Sequence, residues 1–330
     1  MPDNFDFIAI GDIVTDAFIK LSDAHVHENM REHSRELCLR YGDKVPYESV
    51  TLTPAVGNSP NAAVAAAKLG LKSALVTNIG ADDFGHEDLE ALNAAGVATG
   101  FVKTQEGKAS NYHFVLWYKS ERTILIRHEA FTYALPEIGE PKWIYLSSAG
   151  KDSLPFHEVV ADYLDAHPNI QLAFQPGTFQ MQAGYQKMQR LYKRSSILFC
   201  NKEEAQRILE TKEGDPKKLL IMMHDRGPKS VVITDGPKGL YASDLENAWF
   251  MPPYPDPAPP YERTGAGDAC SSTITAAIAL GQPFEKAITW GPVNSAYVVQ
   301  KIGAQAGLLT RAELEGYLAI TPADYKPQNL

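Results

Sequence analysis

The chain has little cysteine, no surplus of positive charge and no long apolar run, and each shortage removes a class of function. Only three cysteines occur in 330 residues, Cys38, Cys200 and Cys270, widely spread and without a CxxC pair. That argues against a disulfide framework or a zinc ribbon and suits a reducing compartment. Lysine and arginine total 31 against 40 aspartates and glutamates, a net charge of −9. Nucleic acid and anionic membrane surfaces both reward a basic face, so neither is an expected partner. If phosphate is bound, a local electropositive site or a metal must hold it. No apolar stretch approaches the about 20 residues that cross a bilayer, and the acidic start MPDNFDFIAIGD shows no signal-peptide pattern. The expected location is the cytoplasm. A GxxxxGK[ST] phosphate loop is missing throughout, and no internal repeat is visible.

What the chain does have is an α/β rhythm. FDFIAI (5–10) is a short apolar run ending at Gly11, as expected of a buried strand. SPNAAVAAAKLG (59–70) reads as an alanine-rich helix closed by glycine, SALVTNIG as the next strand, and DFGHEDLEALNAAGV as a helix ending at Gly96. KWIYLSS, IQLAFQPG, SILFC and SVVITDG are further strands, separated by amphipathic stretches at 155–166 and 202–209. This alternation predicts an α/β fold with a doubly wound, largely parallel sheet flanked by helices, in one domain spanning 1–330. Two regions break the rhythm. Residues 22–56 are polar and irregular, and NYHFVLWYKSERTILI within 99–127 reads as a hairpin around KSER. A small sheet drawn from about 15–56 and 99–130 is expected to form a lid; the plainer alternative is a surface hairpin. The proline run 252–260 is expected to stiffen a loop, and 290–305 and RAELEGYLAI to form closing helices.

The most informative stretch is ERTGAGDACSSTITAAIALG, 262–281. Gly265 and Gly267 let the backbone turn tightly and approach a ligand. The run 269–280 has no charge and no proline, and reads as a buried helix. Residues 265–268 therefore sit at a helix start, where free amides and the dipole favour an anion. An aspartate there repels that anion unless it has a role, and a helix cap is one role open to Asp268. A GxGxxG dinucleotide turn does not fit, because Cys270 stands where its third glycine belongs. A second constellation lies in VGNSPNAAVAAAKLG, 56–70, where Gly57, Asn58 and Asn61 gather amides at another helix start, suited to binding hydroxyls. Asp16, after the first strand, offers a carboxylate to a vicinal diol. Asn61 as a cap and Asp16 as a turn residue are the alternatives.

In combination these motifs resemble the PfkB-type kinases, the ribokinase family of sugar and nucleoside kinases. The resemblance runs in order through Asp16, Gly57-Asn58…Asn61, NIGADDFGHEDLEALNAAGV (78–97), NKEEA (201–205), ITDGPKG (233–239), GAGD (265–268) and QKIGAQ (300–305). It implies an ATP-dependent phosphotransferase with Asp268 as general base and the amides of Gly265, Ala266 and Gly267 as an anion hole. Asp16, Gly57, Asn58 and Asn61 would hold the acceptor. Asn201 would lie at the ATP site, with Glu204 serving Mg2+ through water, and Thr234, Gly236, Gly239 and Asn294 would line the nucleotide. The cofactors implied are ATP and Mg2+, with a monovalent cation such as K+ left open because Gln300-Lys301 replace the family's usual Thr-Arg. Pairing of two chains through the lid is a further implication.

The chain also departs from the family pattern at Val56-Gly57, where two glycines are usual, and at Glu262-Arg263, where Asp-Thr is usual. Arg263 is therefore a candidate positive charge near the phosphates; a side chain that points to solvent is the alternative. A small sugar is the first expectation for the acceptor, because sugar kinases are the broader share of the family; a nucleoside is the alternative. Tyr112, Phe114, Trp117 and Tyr118 in the lid would supply stacking surfaces for a base, although alternation places some of them in a core. A catalytically silent nucleotide or sugar sensor is the rival from another class, and the intact GAGD motif argues against it. A dinucleotide-dependent oxidoreductase lacks its fingerprint.

Overall fold

The computed structural model describes residues 4–29, 34–119 and 121–330. Its centre is a ten-stranded sheet. From Val102–Gln105 at one edge the order runs through Ser73–Gly80, Phe7–Ile10, Trp143–Leu146, Gln171–Phe174 and Ile197–Asn201 to Ser230–Thr234, all parallel. Leu240–Ser243, Ala248–Met251 and Gln328–Asn329 then continue it antiparallel. A parallel strand covered on both faces reads as an unbroken apolar run, and FIAI and WIYL are buried at every position. Period two then divides the core. Phe7 and Ala9 join Tyr145, Ala173 and Phe199 on one face, while Ile8 and Ile10 join Ile144, Leu172 and Leu198 on the other.

Helices cover both faces. Asn58–Lys68, Ala266–Ala279 and Phe284–Val298 lie on the first and Leu154–Ala166, Tyr185–Arg194, Lys202–Leu209 and Pro216–His224 on the second. Ala62, Ala63, Ala65 and Ala66 are fully buried, as are Ala276 and Ala277. Small side chains here let the two helices and the sheet approach closely, which brings their N-terminal ends to one place. Among the described residues no helix is long and apolar enough to cross a membrane.

The small sheet expected as a lid is separate from the main one and has four strands, ordered Tyr47–Val56, Val14–Leu21, Tyr112–Tyr118, Glu121–Leu125. Ser120, inside the expected hairpin turn, lies outside the described residues. Several expectations need correction. The described residues of 22–56 are not irregular throughout: they hold the antiparallel strand pair His25–Asn29 and Ser34–Cys38 and the long edge strand Tyr47–Val56. That strand's partner is Val14–Leu21, far enough away in sequence that no turn signal announces the pairing. Asp16 stands within this lid strand, past the end of the first. Val102–Gln105 belongs to the main sheet although it lies in the stretch assigned to the lid. The closing helix starts earlier, at Phe284, accommodates Pro292 in its interior, and ends at Val298.

Candidate active site

The GAGD turn forms as its composition requires. Gly265 has φ 80°, and a Cβ there would lie 2.4 Å from the Cβ of Ala304, so conformation and space both demand glycine. The helix Ala266–Ala279 begins immediately after it, with no side chain capping its first amides. Asp268 is the third residue of that helix and does not act as its cap. Its Oδ1 accepts hydrogen bonds from Asn58 Nδ2 at 2.7 Å and Gln175 Nε2 at 3.1 Å, and its Oδ2 from Asn61 Nδ2 at 2.8 Å. The residue keeps an opening toward solvent while its carboxylate lies within the protein. Burial raises its pKa, and the amides of Asn61, Asn58 and Gln175, with the charge of Arg122, act in the opposite sense. A carboxylate raised in this way is a stronger proton acceptor than a free one.

Asn58 and Asn61 reach Asp268 from the start of the helix Asn58–Lys68. Gly57 before it has φ 113°, and a Cβ there would sit 2.9 Å from the Asp12 carbonyl. Asn61 is itself oriented by Gln305, whose Nε2 donates to Asn61 Oδ1 at 2.9 Å and to the carbonyl of Ala55 at 2.7 Å. Gln175 was not among the sequence candidates. It follows the strand Gln171–Phe174 and accepts from the Tyr145 hydroxyl at 2.5 Å. Its signal was position alone: a polar residue at the carboxyl end of a parallel strand, where open α/β sheets bind ligands.

On the small sheet itself, Asp16 lies opposite His113 on the neighbouring strand, with Oδ1 3.3 Å from His113 Nδ1. Asp16 Oδ1 and His113 Nε2 are buried without a hydrogen-bond partner. The His113 and His128 rings are 5.3 Å apart. His128 Nδ1 is 2.8 Å from Asp12 Oδ2, which also accepts from the Gly150 amide at 2.8 Å, and the Tyr133 hydroxyl reaches Asp12 Oδ1 at 2.9 Å. Sequence reading passed over Asp12, His113, His128 and Tyr133, because they come from separate elements. The lid aromatics are engaged in packing. Tyr112 touches Phe84 and Phe114, and Trp117 is buried against Tyr261 with its indole N–H donated to the Lys119 carbonyl. Lys119 stands over the Tyr118 ring.

On the other side of Asp268 opens a cavity of about 630 Å³, a volume suited to a nucleotide. Thr234, Gly236 and Gly239 line it opposite Ala266 and Gly267. The proline loop forms one wall through Pro253, Pro255 and Pro260. Asn294, expected near the adenine, is not in that lining. It is fully buried, donating to Thr273 Oγ1 at 2.8 Å and accepting from the Leu309 amide at 2.9 Å, and its neighbour Ser295 lines the cavity instead. Nor do Asn201 and Glu204 line it. They form a reciprocal capping box, each side chain accepting from the other's amide at 2.8 Å. Asn201 pairs with Thr234 across the sheet. Burial raises the Glu204 pKa against the Asn201 N–H, and the nearby Asp268 charge adds to the rise. Among the described residues no group of three or more His, Cys, Asp or Glu could hold a metal.

The pattern of the pfkB family carbohydrate kinase matches residues 30–311. Ribokinase of Haemophilus influenzae is 25% identical over 272 residues, covering 79% of this chain and 86% of that protein. The structure of Arabidopsis thaliana ribokinase complexed with ribose and ATP superposes with a TM-score of 0.78 at 18% identity, over 95% of this chain and 98% of that one. The nucleoside kinase of Methanocaldococcus jannaschii, an archaeal member of the ribokinase family, gives 0.76 at 17% identity over 95% and 98%. The fold is ribokinase-like. The family match takes in both Asn58 and Asp268 along with most of the sheet between them, and the chain accordingly belongs to the pfkB family of carbohydrate kinases, a family of phosphotransferases.

Proposed function

We propose that this kinase transfers the γ-phosphoryl group of ATP to a hydroxyl of a small, uncharged sugar held between the main sheet and the lid. One observation carries the reading: Asp268 stands between the nucleotide-sized cavity, bordered by Ala266 and Gly267, and the amides of Asn58 and Asn61. Anion hole and base must be neighbours because the reacting atoms are neighbours. The acceptor oxygen attacks the γ-phosphorus while the bond to the β,γ-bridging oxygen breaks. The hydroxyl proton passes to the Asp268 carboxylate, and ADP leaves. The amides of Gly265, Ala266 and Gly267 receive the phosphoryl oxygens in this reading, and Thr234, Gly236 and Gly239 border the nucleotide.

Mg2+ bound to nucleotide phosphates uses few protein ligands and keeps several waters. The single carboxylate of Glu204 fits contact through water better than direct ligation, since its amide partner already occupies one oxygen. That ion would neutralise phosphate charge. A monovalent cation such as K+ belongs to the proposal only as an activator to be tested. For the acceptor, Asp12, Asp16, His113 and His128 make a set of hydroxyl-binding groups, which supports a polyol. The engaged state of Tyr112, Trp117 and Tyr118 speaks against base stacking by these rings. The outer face of the lid exposes Val50, Leu52, Phe114 and Leu125 on one side of the sheet, which supports pairing of two chains there.

The test is ADP release from ATP and Mg2+ across a panel of neutral sugars, sugar phosphates, sugar acids and nucleosides, with Asp16→Ala assayed beside the wild type. Turnover is expected with a neutral sugar, together with a KM for it raised about 10- to 150-fold in Asp16→Ala, the loss of a hydrogen bond to a charged group. Turnover confined to nucleosides or to anionic sugars would overturn the acceptor assignment. An absence of turnover across the panel would favour the sensor.

A further inference from the structure

We infer that Arg122, carried on the lid, is a further catalytic residue that contacts the transferring phosphoryl group. The inference rests on the phosphotransfer reading above and names a group that reading does not use. Arg122 lies on the lid's edge strand opposite Trp117, which is buried against Tyr261 just ahead of the GAGD turn. This side of the lid therefore faces the main domain. The Arg122 residue lines the same cavity as Ala266 and Gly267, and its guanidinium is near enough to Asp268 for its charge to lower that carboxyl's pKa.

Its local partner does not use its donors. Nε is 3.6 Å from Glu262 Oε1, within ion-pair range but too far for a hydrogen bond, and it is buried without one. Glu262 is 1% exposed, and its Oε1 is already taken by the Thr264 amide at 2.8 Å and hydroxyl at 2.6 Å. Glu262 Oε2 is likewise buried without a partner. A half-buried guanidinium with unused donors is costly unless something meets it, and its planar fork matches an oxyanion. The anion expected at this end of the cavity is the γ-phosphate.

The charge balance points the same way. Asp268 follows the cavity-lining Ala266 and Gly267, feels the charge of Glu204, and lies in a chain of net charge −9, while Glu262 stands beside Arg122. Among the described residues lining the cavity, the only cations are Arg122 and Arg263. Arg263, the arginine that the sequence singles out, is exposed, and its field acts on Asp256 in the proline loop. Arg122 is therefore the cation placed to neutralise charge as the bond to the bridging oxygen breaks. Because it shares a sheet with Asp16 and His113, acceptor binding under the lid and charge neutralisation at the phosphate would be linked through one rigid element.

The test uses the full chain and the acceptor found by the panel, with Arg122→Gln and Arg122→Lys compared by steady-state kinetics and by calorimetric binding of ATP. For Arg122→Gln we expect kcat lower by about 10²- to 10³-fold, as when one transition-state donor is removed. Acceptor KM should stay within about threefold. Arg122→Lys should recover part of the loss, and added guanidinium should raise the rate of Arg122→Gln but not of wild type. A kcat within about threefold of wild type in a folded Arg122→Gln overturns the inference, as does a raised acceptor KM with kcat intact, which would make Arg122 a packing element of the lid. If the wild type itself turns over no acceptor, the phosphotransfer reading falls and this inference with it.

Discussion

Replacing Asp268 by asparagine keeps its size and removes its basicity, and the structure allows both consequences to be worked out. The helix itself is not at risk, because Asp268 does not cap it and the residue before it is Gly265. The carboxylate instead receives three side-chain amide donors, two on Oδ1 and one on Oδ2. An asparagine can aim its oxygen at Asn58 and Gln175, but its NH2 then meets the NH2 of Asn61. Turning the Asn61 amide over would relieve that clash only by breaking its bond from Gln305. One hydrogen bond is thus lost whichever way the amides turn, and those that remain lose the assistance of the charge, a destabilisation of about 1.5–3 kcal/mol. Loss of the proton acceptor adds a fall in kcat of about 10²- to 10⁴-fold. ATP affinity should hold or rise, since a negative charge beside the phosphates is gone. The assays are thermal unfolding, calorimetric ATP binding, and ADP release at saturating acceptor. A folded Asp268→Asn enzyme with near-normal turnover would refute the general-base reasoning, and one with unchanged stability would refute the hydrogen-bond geometry.

Other outcomes follow from the same site. Gln175 donates to the Asp268 carboxylate and so lowers its pKa; Gln175→Ala should move the acid limb of the kcat–pH profile to higher pH, and a limb unmoved or moved to lower pH would contradict the assigned contact. Asp88 is fully buried, bonded from the Ala55 amide and the Thr15 hydroxyl at the root of the lid, and burial pushes its pKa up to about 7. An unfolded aspartate titrates near 3.9, so the native state binds the extra proton between about pH 4 and 7 and this group's contribution falls as pH rises, by at most about 4 kcal/mol. Asp88→Asn should flatten that part of the stability–pH curve in denaturant titrations, and equal slopes for both proteins would sink the argument. Phe114→Asp or Leu125→Asp on the outer face of the lid should yield monomers by analytical ultracentrifugation while leaving the fold intact; a wild type monomeric at high concentration would remove the pairing surface.

Legibility in the sequence followed the range of the forces involved. Parallel strands such as FIAI and WIYL could be read because burial on both faces is written into consecutive residues. The turns at Gly57 and Gly265 could be read because a positive φ is a local demand. Asn58, Asn61 and Asp268 were recognised as separate helix starts, each recorded in a few neighbouring residues. The edge strand Tyr47–Val56 was missed, since its alternation is weak and its order comes from a partner far back in the chain.

By itself, then, the sequence determined the doubly wound sheet, the two helix starts and the chemistry class that their residues suggest. The tertiary structure alone decided which groups meet. It joined Asp268 to Asn58 across 210 positions and to Gln175 across 93. It also brought Arg122 from the small sheet to the cavity that Ala266 and Gly267 line, turned Asn294 into the core with Ser295 facing the cavity, and gathered Asp12, Asp16, His113 and His128 at the small sheet. A side chain's partner depends on the close approach of helices and strands, which buried alanines and glycines permit but do not aim. Register and packing supply the aim, and they exist only once the chain is folded.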